Sequence, residues 1–155
     1  SEQAKTDGEA ALKTVVVALD GSPLAEKVLP YVVDFAKKVQ LKVVFLRAYA
    51  LPSSITAEEY GSRQTDLIDH IEWEARDYLE KKIREVKEQG LVEVEAVVKF
   101  GYGAQEIIAL GRDTPDNFIA MCTHGRSGIG RWVLGSVTQR VVQHSGDPVL
   151  IVRAS

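Results

Sequence analysis

The stretch M-C-T-H-G-R-S-G-I-G-R-W-V-L-G-S-V, from Met121 to Val137, lies between an apolar run at 118–122 and a segment with helical spacing at 137–144. It is rich in glycine and arginine: Gly125, Gly128, Gly130, Gly135, Arg126 and Arg131. Connections in α/β proteins are usually about 2–6 residues long, so one of about a dozen residues indicates a function. Glycines let backbone N–H groups approach a ligand, and a helix N-terminus adds unpaired donors and partial positive charge. The stretch therefore predicts an anion site, with phosphate as the favoured anion.

Two common phosphate-binding patterns fail in this stretch. Gly130 and Gly135 have the spacing of a Walker A loop, but Ser136 follows where that loop needs a lysine. Gly128 and Gly130 begin a dinucleotide-binding pattern, but Val133 replaces its third glycine. The loop is therefore a third kind of phosphate cradle.

Length and composition predict one globular domain. The chain has 155 residues, of which 45% are hydrophobic and 26% are charged, and we expect a flexible tail at 1–13 and a single domain at 14–155. The net charge of −3 argues against a nucleic acid or an anionic membrane as partner. No apolar run approaches about 20 residues, so we expect no membrane span. The single cysteine and the lack of a signal-peptide pattern predict a cytoplasmic protein.

Apolar runs and amphipathic segments alternate along the chain. Strands are predicted at 14–19, 42–48, 92–100, 118–122 and 149–152, with helices between them. Pro30 predicts a kink or a late start in the first helix. Val92, Val94, Ala96 and Val98 share one face of their strand, which indicates a position nearer a sheet edge. This order predicts an α/β fold with a doubly wound parallel sheet and helices on both faces.

The segment at 49–65 is predicted to be a long connection. Thr56 and Glu59 have the spacing of a capping box for one short helical turn. A connection this long is either a lid over a site or a mobile loop, and the residues do not decide between the two.

Several polar side chains are candidates for ligand contacts. Asp20 follows the first strand, where it can bind a ribose or base, reach a metal through water, or only cap the next turn. Ser136 and Gln139 form an S-x-x-Q pattern typical of a capping box, and the same hydroxyl can contact phosphate. Arg126 and Arg131 either pair with phosphate or remain solvated.

The sequence predicts no catalytic residue. His124 has no predictable carboxylate or nucleophile beside it, and His70 and His144 lie on helices with ordinary spacing, so all three are interpreted as non-catalytic. Cys122 lacks a histidine partner that would make it a nucleophile.

The glycine pattern resembles the nucleotide-binding signature of the universal stress protein family, G-x-x-G-x9-G-[ST]. Gly125, Gly135 and Ser136 fit it, and Cys122 stands where the first glycine is expected. Three further stretches are similar to the family: A-L-D-G-S-P at 18–23, A-Q-E-I at 104–107 and D-P-V-L-I-V at 147–152. The resemblance covers nearly the whole chain.

This resemblance implies an adenine nucleotide alpha-hydrolase-like fold with strand order 3-2-1-4-5. The order reverses between strands one and four, which would place Asp20 beside the glycine loop. Ala48 and Met121 would frame the adenine. Nucleotide contacts are implied at Ala18, Leu19, Asp20, Ala48, Met121, Cys122, Gly125, Arg126, Gly128, Gly135, Ser136 and Val137. The expected ligand is ATP, or AMP or cyclic AMP, with Mg²⁺ or Mn²⁺ on the phosphates.

The favoured function is a regulatory, stress-response protein that binds ATP and hydrolyses it slowly at most. The run Val149-Leu150-Ile151-Val152 lies at a sheet edge in the implied order, and the resemblance implies a homodimer through it. Two alternatives remain open. One is an ATPase or nucleotidyl-transfer enzyme on the same fold, and the other is a dimerisation module with a vestigial nucleotide site.

Overall fold

The computed structural model describes residues 11–50, 64–124 and 134–154. Ten elements follow in chain order: β1 (Thr14–Ala18), α1 (Pro23–Glu26), α2 (Leu29–Val39), β2 (Lys42–Tyr49), α3 (Gln64–Glu88), β3 (Val94–Phe100), α4 (Gly103–Asp113), β4 (Asn117–His124), α5 (Ser136–His144) and β5 (Val149–Ala154). Most of the predicted tail, most of the 49–65 connection with its capping box, and residues 125–133 of the glycine loop lie outside the described residues. Within the described ranges, no helix is both long and apolar enough to cross a membrane.

The five strands form one parallel sheet in the order β3-β2-β1-β4-β5. This confirms the predicted fold class and the strand order that the resemblance implied. β1 pairs with β2 on one side and with β4 on the other. The order reverses at β1, so the carboxyl ends of β1 and β4 border the crevice where such sheets bind ligands.

The core has two layers, one on each face of the sheet. Val15 and Val17 pack on one face against α1, α2 and α3, whereas Val16 packs on the other face against α4 and α5. Successive side chains of a strand point to opposite faces, so an apolar run is buried only when both faces are covered. All three valines are at most 1% exposed, which agrees with the prediction of helices on both faces of the sheet.

The first predicted helix is divided into α1 and α2. Pro30 lies in the first turn of α2, where its missing N–H costs nothing, so the predicted late start is confirmed. Ser22 caps α1, because its Oγ accepts a hydrogen bond from the N–H of Ala25 at 3.2 Å.

The predicted start of β3 is wrong at Val92. β3 begins at Val94, and Val92 is 84% exposed. The pairing register of β2 with β3 starts at Val43 and Val94, and the Glu93 carbonyl accepts a hydrogen bond from the N–H of Val43 at 2.9 Å, so pairing with β2 begins after Val92. The edge position of β3 is confirmed, and Val94, Ala96 and Val98 pack partly buried against the core.

Candidate functional site

A cavity of about 160 Å³ lies at the carboxyl end of the sheet. The ends of β1, β2 and β4, helix α1 and the N-terminal parts of α4 and α5 surround it: Ala18, Leu19, Asp20, Ala25, Leu46, Ala48, Gly103, Ile107, Met121, Cys122, Val137 and Thr138. Pockets for drug-sized ligands have about 300–1,000 Å³. The cavity therefore has room for only part of such a ligand.

Most of the sequence-predicted site residues that the structure describes line this cavity: Ala18, Leu19, Asp20, Ala48, Met121, Cys122 and Val137. Gly135 and Ser136 directly precede Val137 at the start of α5, but they do not line the cavity. Gly125, Arg126, Gly128 and Arg131 lie outside the described residues. The structure thus brings together segments that are far apart in the sequence.

Five lining residues were missed by the sequence analysis: Ala25, Leu46, Gly103, Ile107 and Thr138. A signal existed for some of them. Leu46 is two residues before Ala48, and alternate residues of a strand share a face. Gly103 and Ile107 belong to α4, whose start must meet the carboxyl edge because it directly follows β3.

Asp20 is held by the turn that follows β1. Its Oδ1 accepts hydrogen bonds from the Ser22 N–H at 2.8 Å and from the Ser22 Oγ–H at 2.5 Å. Among the described residues, no hydrogen bond reaches Oδ2. The turn-capping role is therefore present, and one carboxylate oxygen remains for a ligand.

Arg47 lies beside this turn and contacts the ring of Tyr78. The Arg47 guanidinium lies 4.9 Å from the centre of the Tyr78 ring, an attractive cation–π contact. A Cβ on Gly21 would lie 3.1 Å from Nη2 of Arg47, and Gly21 has φ +87°. The positive φ favours glycine at this position, and a Cβ would also require the Arg47 guanidinium to shift slightly. Burial, followed by the negative charge of Glu26, raises the pKa of the Tyr78 phenol above its usual range.

The predicted capping box at Ser136 is wrong. α5 begins at Ser136, its N-cap is Gly135, and no side chain caps it. A capping serine must precede the first helical residue, and Ser136 is itself the first helical residue. The N–H of Gly135 instead donates to Oγ1 of Thr123 at 3.0 Å.

Cys122 lies in the extended ladder of β4, paired with Val152 of β5. Its φ is not positive. A glycine at this position would therefore serve close approach of a ligand rather than an unusual backbone conformation. Burial raises the pKa of the Cys122 thiol, and the charge of Lys27 partly opposes this shift.

No group of three or more His, Cys, Asp or Glu side chains that could hold a metal ion occurs in the part of the chain that the structure describes. Within the described part of the chain, Asp20 is the only carboxylate that lines the cavity. Thr138, which is 3% exposed, adds a hydroxyl to this lining, and Cys122 adds a thiol.

Comparison with known proteins gives the family. The sequence model described as "Universal stress protein family" matches residues 11–153. This chain belongs to the universal stress protein family. Universal stress protein YxiE of Bacillus subtilis is 31% identical over 145 residues, which cover 90% of this chain and 97% of that protein.

Solved structures of the family share the fold. The structure of MJ0577, a universal stress protein of Methanocaldococcus jannaschii, matches with a TM-score of 0.73 and 26% identity, covering 92% of this chain and 96% of that one. A universal stress protein solved in complex with cAMP matches with a TM-score of 0.64 and 25% identity, covering 94% of this chain and 99% of that one.

Proposed function

We propose that this universal stress protein is a regulatory protein that binds an adenine nucleotide, with ATP as the favoured ligand. The observation that carries the proposal is the cavity between the ends of β1 and β4 and the start of α5. Ligands of doubly wound sheets bind at this place. A family member of similar fold was solved with cAMP, which supports an adenine nucleotide as the ligand class.

The adenine is assigned to the apolar part of the cavity. Ala48 and Met121 line it from β2 and β4, and their side chains offer apolar surface to a flat base. Ala18 and Leu19 bound the same space at the end of β1. Cys122, one residue beyond Met121, is assigned to the ribose.

The phosphates are assigned to the N-terminus of α5 and to the glycine loop before it. Ser136 and Val137 lie in the first turn of α5, where backbone N–H groups lack intrahelical partners and favour an anion. The roles of Gly125, Arg126, Gly128 and Gly135 in this cradle rest on the sequence pattern.

A divalent cation, Mg²⁺ or Mn²⁺, fits this donor set when the phosphates supply most of its ligands. Mg²⁺ keeps several waters and commonly uses one or two carboxylates together with substrate phosphates. Asp20 supplies one carboxylate, with Oδ2 available for contact through water. Asp20 and the phosphates would hold such a cation at the cavity mouth.

Binding rather than rapid catalysis is proposed, because Asp20 and Cys122 are the only ionisable side chains among the described residues that line the cavity. Oδ1 of Asp20 is already engaged by Ser22, and the Cys122 thiol has a raised pKa, so neither is a good general base. Hydrolysis of ATP at more than about 1 s⁻¹ would instead favour the alternative that this protein is an ATPase.

The proposed assembly is a cytoplasmic homodimer through β5. β5 pairs with β4 on one side and is the last strand of the sheet on the other. Leu150 is 39% exposed there. An uncovered apolar edge invites pairing with a second strand, and antiparallel pairing with a second copy would cover it.

The test is thermal unfolding with and without MgATP, with titration calorimetry alongside. A ligand at one hundred times its Kd stabilises the fold by about 2.7 kcal/mol, so the wild-type melting temperature should rise clearly. Ala48→Phe fills the cavity and should abolish the rise, whereas Val92→Phe, at an exposed position away from the cavity, should retain it. No rise for the wild type, together with no heat of binding, would refute the proposal.

A further inference from the structure

We infer that Thr123 is a positioning residue that holds the N-terminus of α5 in place for the phosphate end of the nucleotide. This role depends on the nucleotide site proposed above. Thr123 does not line the cavity, so it acts on the ligand through α5.

Thr123 connects the end of β4 to the start of α5. It is the residue before the last of β4, and it is only 3% exposed. Its Oγ1 accepts the hydrogen bond from the N–H of Gly135 at 3.0 Å, across twelve positions of sequence. Both partners therefore stand at the two ends of the connection between β4 and α5.

Gly135 fits against Thr123 because it lacks a side chain. A Cβ at Gly135 would lie 3.1 Å from Oγ1 of Thr123, which is tighter than nine in ten real Cβ contacts. The backbone of Gly135 has φ −57° and ψ 152°, a conformation open to any residue. Glycine at this position therefore provides close approach to Thr123 rather than an unusual backbone conformation.

The hydrogen bond between Gly135 and Thr123 fixes the position of the backbone N–H donors in the first turn of α5. The Gly135 carbonyl accepts a hydrogen bond from the N–H of Gln139 at 2.9 Å, which closes the first turn of α5. The N–H groups of Ser136, Val137 and Thr138 lie in that turn, where intrahelical partners are missing. Val137 and Thr138 also line the cavity. Donors held in one rigid turn move together, so a small shift of Gly135 changes the distance from every one of them to an anion.

The base and the phosphates of the nucleotide are assigned to different elements of the fold. The base is assigned to β2 and β4 at Ala48 and Met121, and the phosphates are assigned to α5. Losing the Thr123 contact should therefore weaken the binding of a nucleotide more than that of the nucleoside with the same base and sugar. A purely structural hydroxyl would lower stability without this difference.

The experiment compares AMP with adenosine in three variants. Thr123→Val removes the acceptor at nearly constant volume, and Thr123→Ser keeps it. Gly135→Ala disturbs the same contact from the other side by adding a Cβ. A net hydrogen bond corresponds to about fivefold in a dissociation constant. We expect Thr123→Val and Gly135→Ala to weaken AMP about fivefold and to leave adenosine within about twofold, and Thr123→Ser to behave as wild type.

Thr114→Val is the matched control. The Thr114 hydroxyl donates to the Leu110 carbonyl at 2.6 Å, near the end of α4 and away from the cavity lining. Its loss removes a comparable hydroxyl-to-backbone bond, so the melting temperature should fall while AMP affinity stays unchanged.

Equal weakening of AMP and adenosine by Thr123→Val, or unchanged affinity for both, would overturn the inference. A loss of AMP affinity in Thr114→Val would also overturn it, because stability alone would then explain the effect. Wild-type protein that binds neither AMP nor MgATP would overturn the proposed function and this role with it. If the wild type binds AMP and Thr123→Val binds it with the same affinity, only this role of Thr123 is overturned.

Discussion

Cys122 is the residue where this chain departs from the glycine pattern of its family. It lines the cavity from β4, so its Cβ and Sγ occupy space that a glycine would leave to the ligand. We expect Cys122→Gly to tighten ATP binding by about 1 kcal/mol, or roughly fivefold in Kd. Isothermal titration of wild type and variant measures this difference.

The same variant should unfold at a lower temperature without ligand. Glycine inside a strand costs about 0.5–1 kcal/mol in backbone entropy. In the wild type, MgATP should slow labelling of the Cys122 thiol. Labelling without nucleotide should also accelerate as pH rises beyond the usual thiol range, because burial raises the pKa of Cys122. Unchanged Kd and nucleotide-insensitive labelling would show that Cys122 does not face the ligand.

Tyr78 should make stability depend on pH in alkaline solution. Its pKa is raised in the folded state, chiefly by burial, whereas an unfolded phenol titrates near 10. The contribution of this pKa shift to the free energy of unfolding is fully present below about pH 10, and it is lost as pH rises toward the folded pKa. The loss is at most about 1.4 kcal/mol per pH unit, and less because Tyr78 is only partly buried.

Urea unfolding of wild type and Tyr78→Phe from pH 8 to 11 tests this prediction. The difference in free energy of unfolding should be constant up to about pH 10, and above it the wild type should lose stability faster. Tyr31→Phe is the control, since Tyr31 is exposed on α2. A constant difference across the whole range would contradict the prediction.

At the scale of elements, α5 shows why a local pattern can mislead. Ser136 and Gln139 have the spacing of a capping box, yet the helix begins at Ser136, one residue earlier than that pattern requires. The deciding partner lies in another element: Oγ1 of Thr123, in β4, accepts the hydrogen bond from the N–H of Gly135. No rule based on neighbouring residues includes that contact. At α2, by contrast, Pro30 restricts its own backbone, and its effect was predictable from the sequence.

The exposed edge of β5 is the place where the proposed homodimer can be tested. Leu150→Glu places a charge on the exposed edge strand, and a two-fold antiparallel pairing would bring two such strands together. We expect the wild type to be a dimer and the variant a monomer by light scattering at tens of micromolar protein.

Val92→Glu is the matched control for this prediction. Val92 is 84% exposed just before β3, at the opposite edge of the sheet, so the same change of charge should leave the dimer intact. A monomeric wild type at this concentration would rule out the β5 homodimer. Dissociation by both variants would point to charge in general rather than to the β5 edge.

At the scale of the whole molecule, the fold class follows from the sequence, but the strand order does not. Alternating strands and helices predict a parallel sheet with covered faces. The pairing of Thr14 with Asn117 joins distant parts of the chain, and no periodicity marks it. The order came from the family resemblance. The same limit applies to the cavity: Asp20 was predictable as a residue at a strand end, whereas the inclusion of Thr138 depends on how α5 packs.

The central place of β1 also has a consequence for synthesis. Of the five strands of this sheet, β1 leaves the ribosome first, but one of its two neighbours, β4, is made fourth. At about 5–20 residues per second, the second edge of β1 waits for several seconds or longer. During that interval, Val15, Val16 and Val17 have unpaired backbone groups on one side, and such an edge attracts other nascent chains. Aggregation in the cell should therefore depend on the speed of translation between β1 and β4, and a chaperone that holds this edge would be needed for seconds only.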